Sequence, residues 1–142
     1  MAQTNEPLLS VKGLKQYFPV SKKFTVRAVD NISFDIYPGE TYGLVGESGS
    51  GKSTTGRSII RLYDPTEGTI LFNGEDISKK LTAKQEKMLR SDMQMVFQDP
   101  MASLNPHKKI LDTIAMGLDA HHPHMDQKER VERVSKMMEM VG

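Results

Sequence analysis

The chain has 142 residues, with 19 Lys+Arg against 18 Asp+Glu, so its formal charge is +1 with histidine neutral. That near-balance excludes a nucleic-acid binder held by net charge and leaves only a local basic patch for such a role. With 37% hydrophobic and 26% charged residues and no cysteine, the composition fits one folded domain without disulfides, as in a reducing compartment. No run approaches the roughly 18 apolar residues of a membrane span. Met1–Pro7 is polar and lacks the apolar stretch of a secretory signal.

Leu8–Phe18 mixes apolar and polar residues as a strand does, and Pro19–Phe24 reads as a polar turn. Val26–Ile36, anchored by Val29, Ile32, Phe34 and Ile36, is a second strand, so the chain opens on an antiparallel layer. Pro38-Gly39 marks a turn. Tyr42-Gly43-Leu44-Val45-Gly46 is a short apolar run ending in glycine, the pattern of a buried strand at the centre of a mostly parallel sheet. A helix is expected from Lys52 to about Leu62, packed through Ile59, Ile60 and Leu62. Thr69–Phe72 reads as a strand entering an Asn73-Gly74 hairpin turn. Thr82 and Gln85 make a capping box that starts a helix, and Met93–Phe97 is another short strand. Asn105 is expected to cap a helix beginning at Pro106, with Ile110, Leu111, Ile114 and Leu118 on one face. A last helix carries Val131, Val134, Met137, Met138 and Val141 at helical spacing, a face expected to pack in a core. The class is α/β, antiparallel at the start and helical at the end.

Gly46-Glu47-Ser48-Gly49-Ser50-Gly51-Lys52-Ser53 matches G-x-x-x-x-G-K-[ST], between an apolar strand and a helix as that motif requires. Its glycines permit backbone angles that a β-carbon penalises, so the N–H groups can turn inward around an anion. The helix start adds the positive end of its dipole. Lys52 supplies a full charge for β- and γ-phosphates, Ser53 a hydroxyl for Mg²⁺, and Thr54 a hydroxyl for the α-phosphate. The competing reading is a Gly/Ser-rich turn before a helix.

Three segments then resemble the ATP-binding subunits of ABC transporters, more narrowly the oligopeptide/dipeptide importer type. They are Gly39-Glu40-Thr41 leading through Gly43 to Thr54; Gly68-Thr69-Ile70-Leu71-Phe72-Asn73-Gly74; and Met95-Val96-Phe97-Gln98-Asp99-Pro100 continuing as Ser103-Leu104-Asn105-Pro106. The resemblance implies an ABC nucleotide-binding domain of P-loop NTPase type, truncated to an antiparallel β layer, part of the core sheet with the phosphate loop, and the start of a helical subdomain. Residues 8–100 would hold the β layer and ATP-binding core, and 101–142 the extension and the helical start. It further implies that Gln98 is the Q-loop glutamine, contacting Mg²⁺ and the attacking water beside the catalytic Lys52, and that Phe18, or else Tyr17, stacks on adenine. Without the family, Gln98 is a polar residue ending a strand, and Phe18 and Tyr17 are core aromatics at a strand end. An apolar strand ending in a Mg²⁺-binding Asp99 is a weaker reading, because Gln98 interrupts the run and Pro100 follows.

The family pattern also contains a Ser-Gly-Gly-Gln signature, an apolar strand ending in Asp-Glu, and a switch histidine, none of which this chain carries. The 142 residues are therefore read as the N-terminal half of such a domain, with nucleotide-contacting but not hydrolytic groups. Alone it is expected to be inactive, with open strand edges and apolar faces. The implied whole is a peripheral subunit at the cytoplasmic face of the membrane, hydrolysing ATP with Mg²⁺ to drive peptide import. Its partners would be a second ATPase subunit, permease subunits, which Ala102–Ile114 would meet, and indirectly an extracytoplasmic solute-binding protein. Two alternatives stay open: a non-hydrolysing nucleotide-binding module, and an ATPase subunit for another solute such as nickel or glutathione. A GTPase would need Asn-Lys-x-Asp, which is absent. His121, His122 and His124 around Pro123 read as a solvated linker, since no carboxylate or cysteine completes a ligand set.

Overall fold

The structure is a computed structural model that describes residues 6–99 and 104–142. Pro100, Ala102 and Ser103, named above, lie outside the described residues. The chain divides into two units, 1–95 and 96–142.

In the first unit, β1 (Leu9–Ser21) and β2 (Phe24–Ile36) form a long antiparallel hairpin closed by the Ser21↔Phe24 pair. β3 (Glu67–Phe72) pairs antiparallel with the other edge of β1, and the short β4 (Glu75–Asp76) pairs with β3, giving the order β2-β1-β3-β4. β1 runs past the expected end at Phe18. Its last pair with β3 is Lys15↔Glu67, so Pro19, which has no N–H to donate, needs only its β2 neighbour Thr25. Asn73 (φ 50°) and Gly74 (φ 77°) both take positive φ between Phe72 and Glu75, as the expected type I′ turn requires.

The core is Leu9, Val11, Leu14, Val29, Ile70, Phe72, Ile77 and Leu89. Val11 and Leu14 are three residues apart yet both fully buried. Strict alternation would put them on opposite faces. Gly13, at φ 58°, resolves this with a register shift between them. Gly68 crosses this kink so closely that a β-carbon on it would sit 2.6 Å from the Gly13 carbonyl oxygen.

Helix α1 (Lys52–Ile59) stops short of Leu62. Arg61 turns left-handed (φ 62°), its N–H reaches the Ser58 carbonyl at 3.2 Å, and the Leu62 N–H reaches that of Arg57 at 2.9 Å. This is a Schellman end, normally built on glycine. Arginine tolerates it because its guanidinium is held by the Ser78 carbonyl (2.9 Å), the Lys79 carbonyl (3.2 Å) and Asp64 (2.7 Å). Leu62, expected to pack, is 56% exposed, and the buried residues of α1 are Thr55 and Ser58. α2 (Ala83–Asp92) starts with the expected capping box, the Gln85 N–H donating to Thr82 Oγ1 and the Thr82 N–H to Gln85 Oε1.

Two expected strands do not form. Residues 41–46 and 93–97 join no ladder among the described residues. Val45 is 90% exposed. Their apolar patterns suit strands paired on both sides, but the described residues place no parallel neighbour beside either segment.

In the second unit, α3 (Ile110–His121) and α4 (Gln127–Val141) form a helical hairpin. Asn105 does not cap α3. Its Oδ1 accepts from the His107 N–H and its carbonyl from the Lys108 N–H, closing a separate turn that includes Pro106. Ala115 and Val134 are fully buried, and Arg130 ties α3 to α4 through Asp119 (2.8 Å) and Asp112 (3.2 Å). Of the expected apolar face of α4 only Val134 is buried; Met137 and Met138 are exposed.

Candidate phosphate-binding site

The loop from Gly46 to Ser53 is an irregular turn that runs directly into α1. Gly49 and Gly51 take φ of 81° and 76°, the left-handed region where a side chain is strained. Gly51 is constrained twice, because a β-carbon there would also collide with the Ala28 carbonyl oxygen. Ala28 stands where β2 shifts register against β1, between the pairs Gln16↔Val29 and Tyr17↔Arg27. This bulge was not visible in the sequence, and it brings the hairpin backbone against the end of the loop. At the loop's first residue a β-carbon on Gly46 would lie 2.7 Å from Ser50 Oγ. The Ser50 N–H closes the bend on the Glu47 carbonyl at 3.2 Å.

Lys52 reaches back across the bend, donating from Nζ to the carbonyls of Gly46 (2.9 Å) and Glu47 (3.0 Å). The ammonium is thereby held over the loop rather than extended into solvent. α1 begins with no side-chain cap and no acidic residue in its first turn. The leading N–H groups of a helix lack intrahelical acceptors, and no side chain among the described residues caps them here. A bend lined by glycine, a tethered cation and an uncapped helix start form a setting for an anion, and a polyphosphate fits it. Ser48 and Ser53 are exposed and Thr54 half-buried, its carbonyl accepting from Ser58 Oγ at 2.9 Å.

That single Ser58 hydroxyl proton is shared between the Thr54 carbonyl and the buried Gln16 Oε1, 3.2 Å away, which links α1 to β1. Phe18 stands two residues beyond Gln16, on the same face of β1 by strand alternation, and its ring meets Tyr63 edge-on with centroids 5.3 Å apart. Tyr17 faces the other way. Its hydroxyl donates to Asp30, the Arg27 guanidinium sits 5.4 Å from its ring centroid, and its N–H donates to Thr66 Oγ1. The carboxylate raises the Tyr17 phenol pKa above the usual value. Gln98 is exposed and lies in the second unit.

Beyond this geometry, a family model described as ABC transporter matches residues 29–142. The chain belongs to the ABC transporter family. This ABC chain is 56% identical to the oligopeptide transport ATP-binding protein OppF of Bacillus subtilis over 137 residues, 96% of the chain and 45% of that protein. It is 46% identical to the dipeptide transport ATP-binding protein DppF of Lactococcus lactis, covering 95% of the chain and 44% of that protein. The chain thus spans about half the length of the curated relatives it matches. Among solved structures it superposes, with a TM-score of 0.79 and 26% identity, on the ATP-binding cassette MJ0796 in a dimeric post-hydrolysis state bound to ADP and Pi. That alignment covers 93% of the chain and 56% of MJ0796.

Proposed function

We propose that this chain is the N-terminal half of an ATP-binding subunit that energises peptide import. The observation that carries the reading is Lys52 bound back over Gly46 and Glu47 at the uncapped start of α1. The names of its relatives, oligopeptide and dipeptide transport ATP-binding proteins, favour a peptide cargo. In this reading Gly46–Thr54 would wrap the phosphates, Ser53 and, by the family resemblance, Gln98 would hold Mg²⁺, and Phe18 would meet the base. Gln98 and Lys52 serve hydrolysis once the rest of the subunit supplies the remaining groups. Among the described residues no helix is long and apolar enough to cross a membrane, which suits a peripheral subunit on a separate permease. The dimeric cassette MJ0796 supports a second ATPase subunit as partner.

Replacing Lys52 with Ala in the complete subunit removes a charge-assisted contact to phosphate. ATP affinity is expected to fall roughly tenfold to a hundredfold. Equilibrium titration with ATP, and with GTP as comparison, measures it, and an unchanged ATP affinity rejects the reading. Peptide uptake in cells carrying the variant tests the cargo.

A further inference from the structure

We propose that Tyr63 is a positioning residue for the base end of the nucleotide site, fixing the plane of the Phe18 ring against which a purine stacks. This rests on reading Gly46–Thr54 as the nucleotide's phosphate loop and Phe18 as the platform for its base. Phe18 lies beyond the last β1–β3 pair, so β3 does not flank it and its ring orientation must be set from elsewhere. Tyr63 supplies the contact, at 5.3 Å between centroids and 83° between planes. Tyr63 is itself anchored. Its N–H and that of Leu62 both donate to the Arg57 carbonyl, and the left-handed Arg61 before it is held by Ser78, Lys79 and Asp64.

One helix therefore references both ends of the ligand. Its N-terminus is the phosphate loop, and its Schellman end carries the residue that orients the base platform. The end of the loop adjoins the part of the hairpin that carries Phe18, since Gly51 abuts Ala28, which lies opposite Gln16 and Tyr17 on β1. Tyr17 cannot substitute, being engaged by Asp30, Arg27 and Thr66.

The test compares two ligands in the complete subunit: ATP, which has a base, and inorganic tripolyphosphate, which has none. Phe18→Ala is expected to weaken ATP about tenfold. Tyr63→Leu, which keeps apolar volume but removes the ring, should weaken ATP about fivefold, and the double variant should be no weaker than Phe18→Ala alone. Tripolyphosphate affinity should stay within about twofold in all three, and Tyr63→Phe should bind ATP as the parent does. The proposal is overturned if Tyr63→Leu weakens both ligands equally, which makes Tyr63 merely structural, or if the two losses simply add. Should Phe18→Ala leave ATP affinity unchanged, the proposal and the Phe18 platform both fail. The phosphate loop then still stands or falls separately, on whether Lys52→Ala weakens tripolyphosphate.

Discussion

The hairpin β1–β2 and the segment Tyr42–Val45 both read as strands from their apolar residues and have opposite fates. Val11, Leu14 and Val29 are buried in a ladder, whereas Val45, at 90% exposure, pairs with nothing among the described residues. The difference lies in where each finds a partner. An antiparallel strand is completed by the residues that follow its turn, while a parallel strand needs a neighbour delivered by a crossover from elsewhere in the chain. The phosphate loop sits at the junction of the two cases. Its C-terminal end leans on the finished hairpin through Gly51 and Ala28, and its N-terminal end continues the unpaired segment.

The largest expected effect comes from breaking the finished side. Leu14 is fully buried in the core, so Leu14→Ala should destabilise the chain by about 2–5 kcal/mol. Chemical denaturation measures this, and a loss below about 1 kcal/mol would mean that the antiparallel layer is not the stable part of the molecule.

Gly51→Ala attacks the junction. The left-handed φ of 76° costs about 1–3 kcal/mol for a side chain, and the collision with the Ala28 carbonyl forces the loop or the β2 bulge to move. Stability should fall by that amount, and phosphate affinity should fall with it. Weaker binding with no loss of stability would show that the loop shifts without straining the hairpin.

How much of this was legible follows the same division. The pairing of β1 with β2, the Asn73-Gly74 turn and the Thr82–Gln85 box depend on residues close in sequence and formed as expected, although the hairpin turn is tighter than Pro19–Phe24, with Pro19–Ser21 and Phe24 inside the strands. The loop motif was readable because glycine, lysine and serine do their work within eight positions. The early stop of α1 was not, because Arg61 takes a glycine-like angle only by virtue of carbonyls contributed by Ser78 and Lys79. Nor was the failure of Asn105 to cap α3, since its carboxamide closes a turn onto His107 instead. Ala28 and Tyr63 carry no local motif, and their importance appears only when β2 and the end of α1 are brought beside β1.

The second unit sharpens the contrast by pH. The Arg130 guanidinium holds the Asp119 carboxyl below its ordinary range. A carboxylate depressed on folding contributes stability above its unfolded pKa, near 3.9, and loses that contribution as pH falls through the lower folded value. The α3–α4 hairpin should therefore weaken in acid below about pH 4, an effect that Asp119→Asn abolishes. Helical ellipticity followed from pH 6 to 2 in parent and variant measures it, and parallel acid curves would assign the loss to other carboxylates such as Asp35 or Asp76, which are also depressed.

The smallest effect is the one that bears most directly on the unpaired segment. Val45→Thr adds a hydroxyl to a side chain already in solvent, so this chain should keep its stability within about 0.5 kcal/mol. Val11→Thr, made in the fully buried hairpin, should cost about 1–3 kcal/mol, because the hydroxyl meets no partner there. Repeating Val45→Thr in the complete subunit turns the comparison into a test of where the missing neighbour comes from. A cost that rises there toward that of Val11→Thr means that later residues cover Val45 and complete its ladder. A cost that stays near zero means that the segment before the phosphate loop is solvent-exposed in the working protein, and that its apolar pattern does not specify a buried strand.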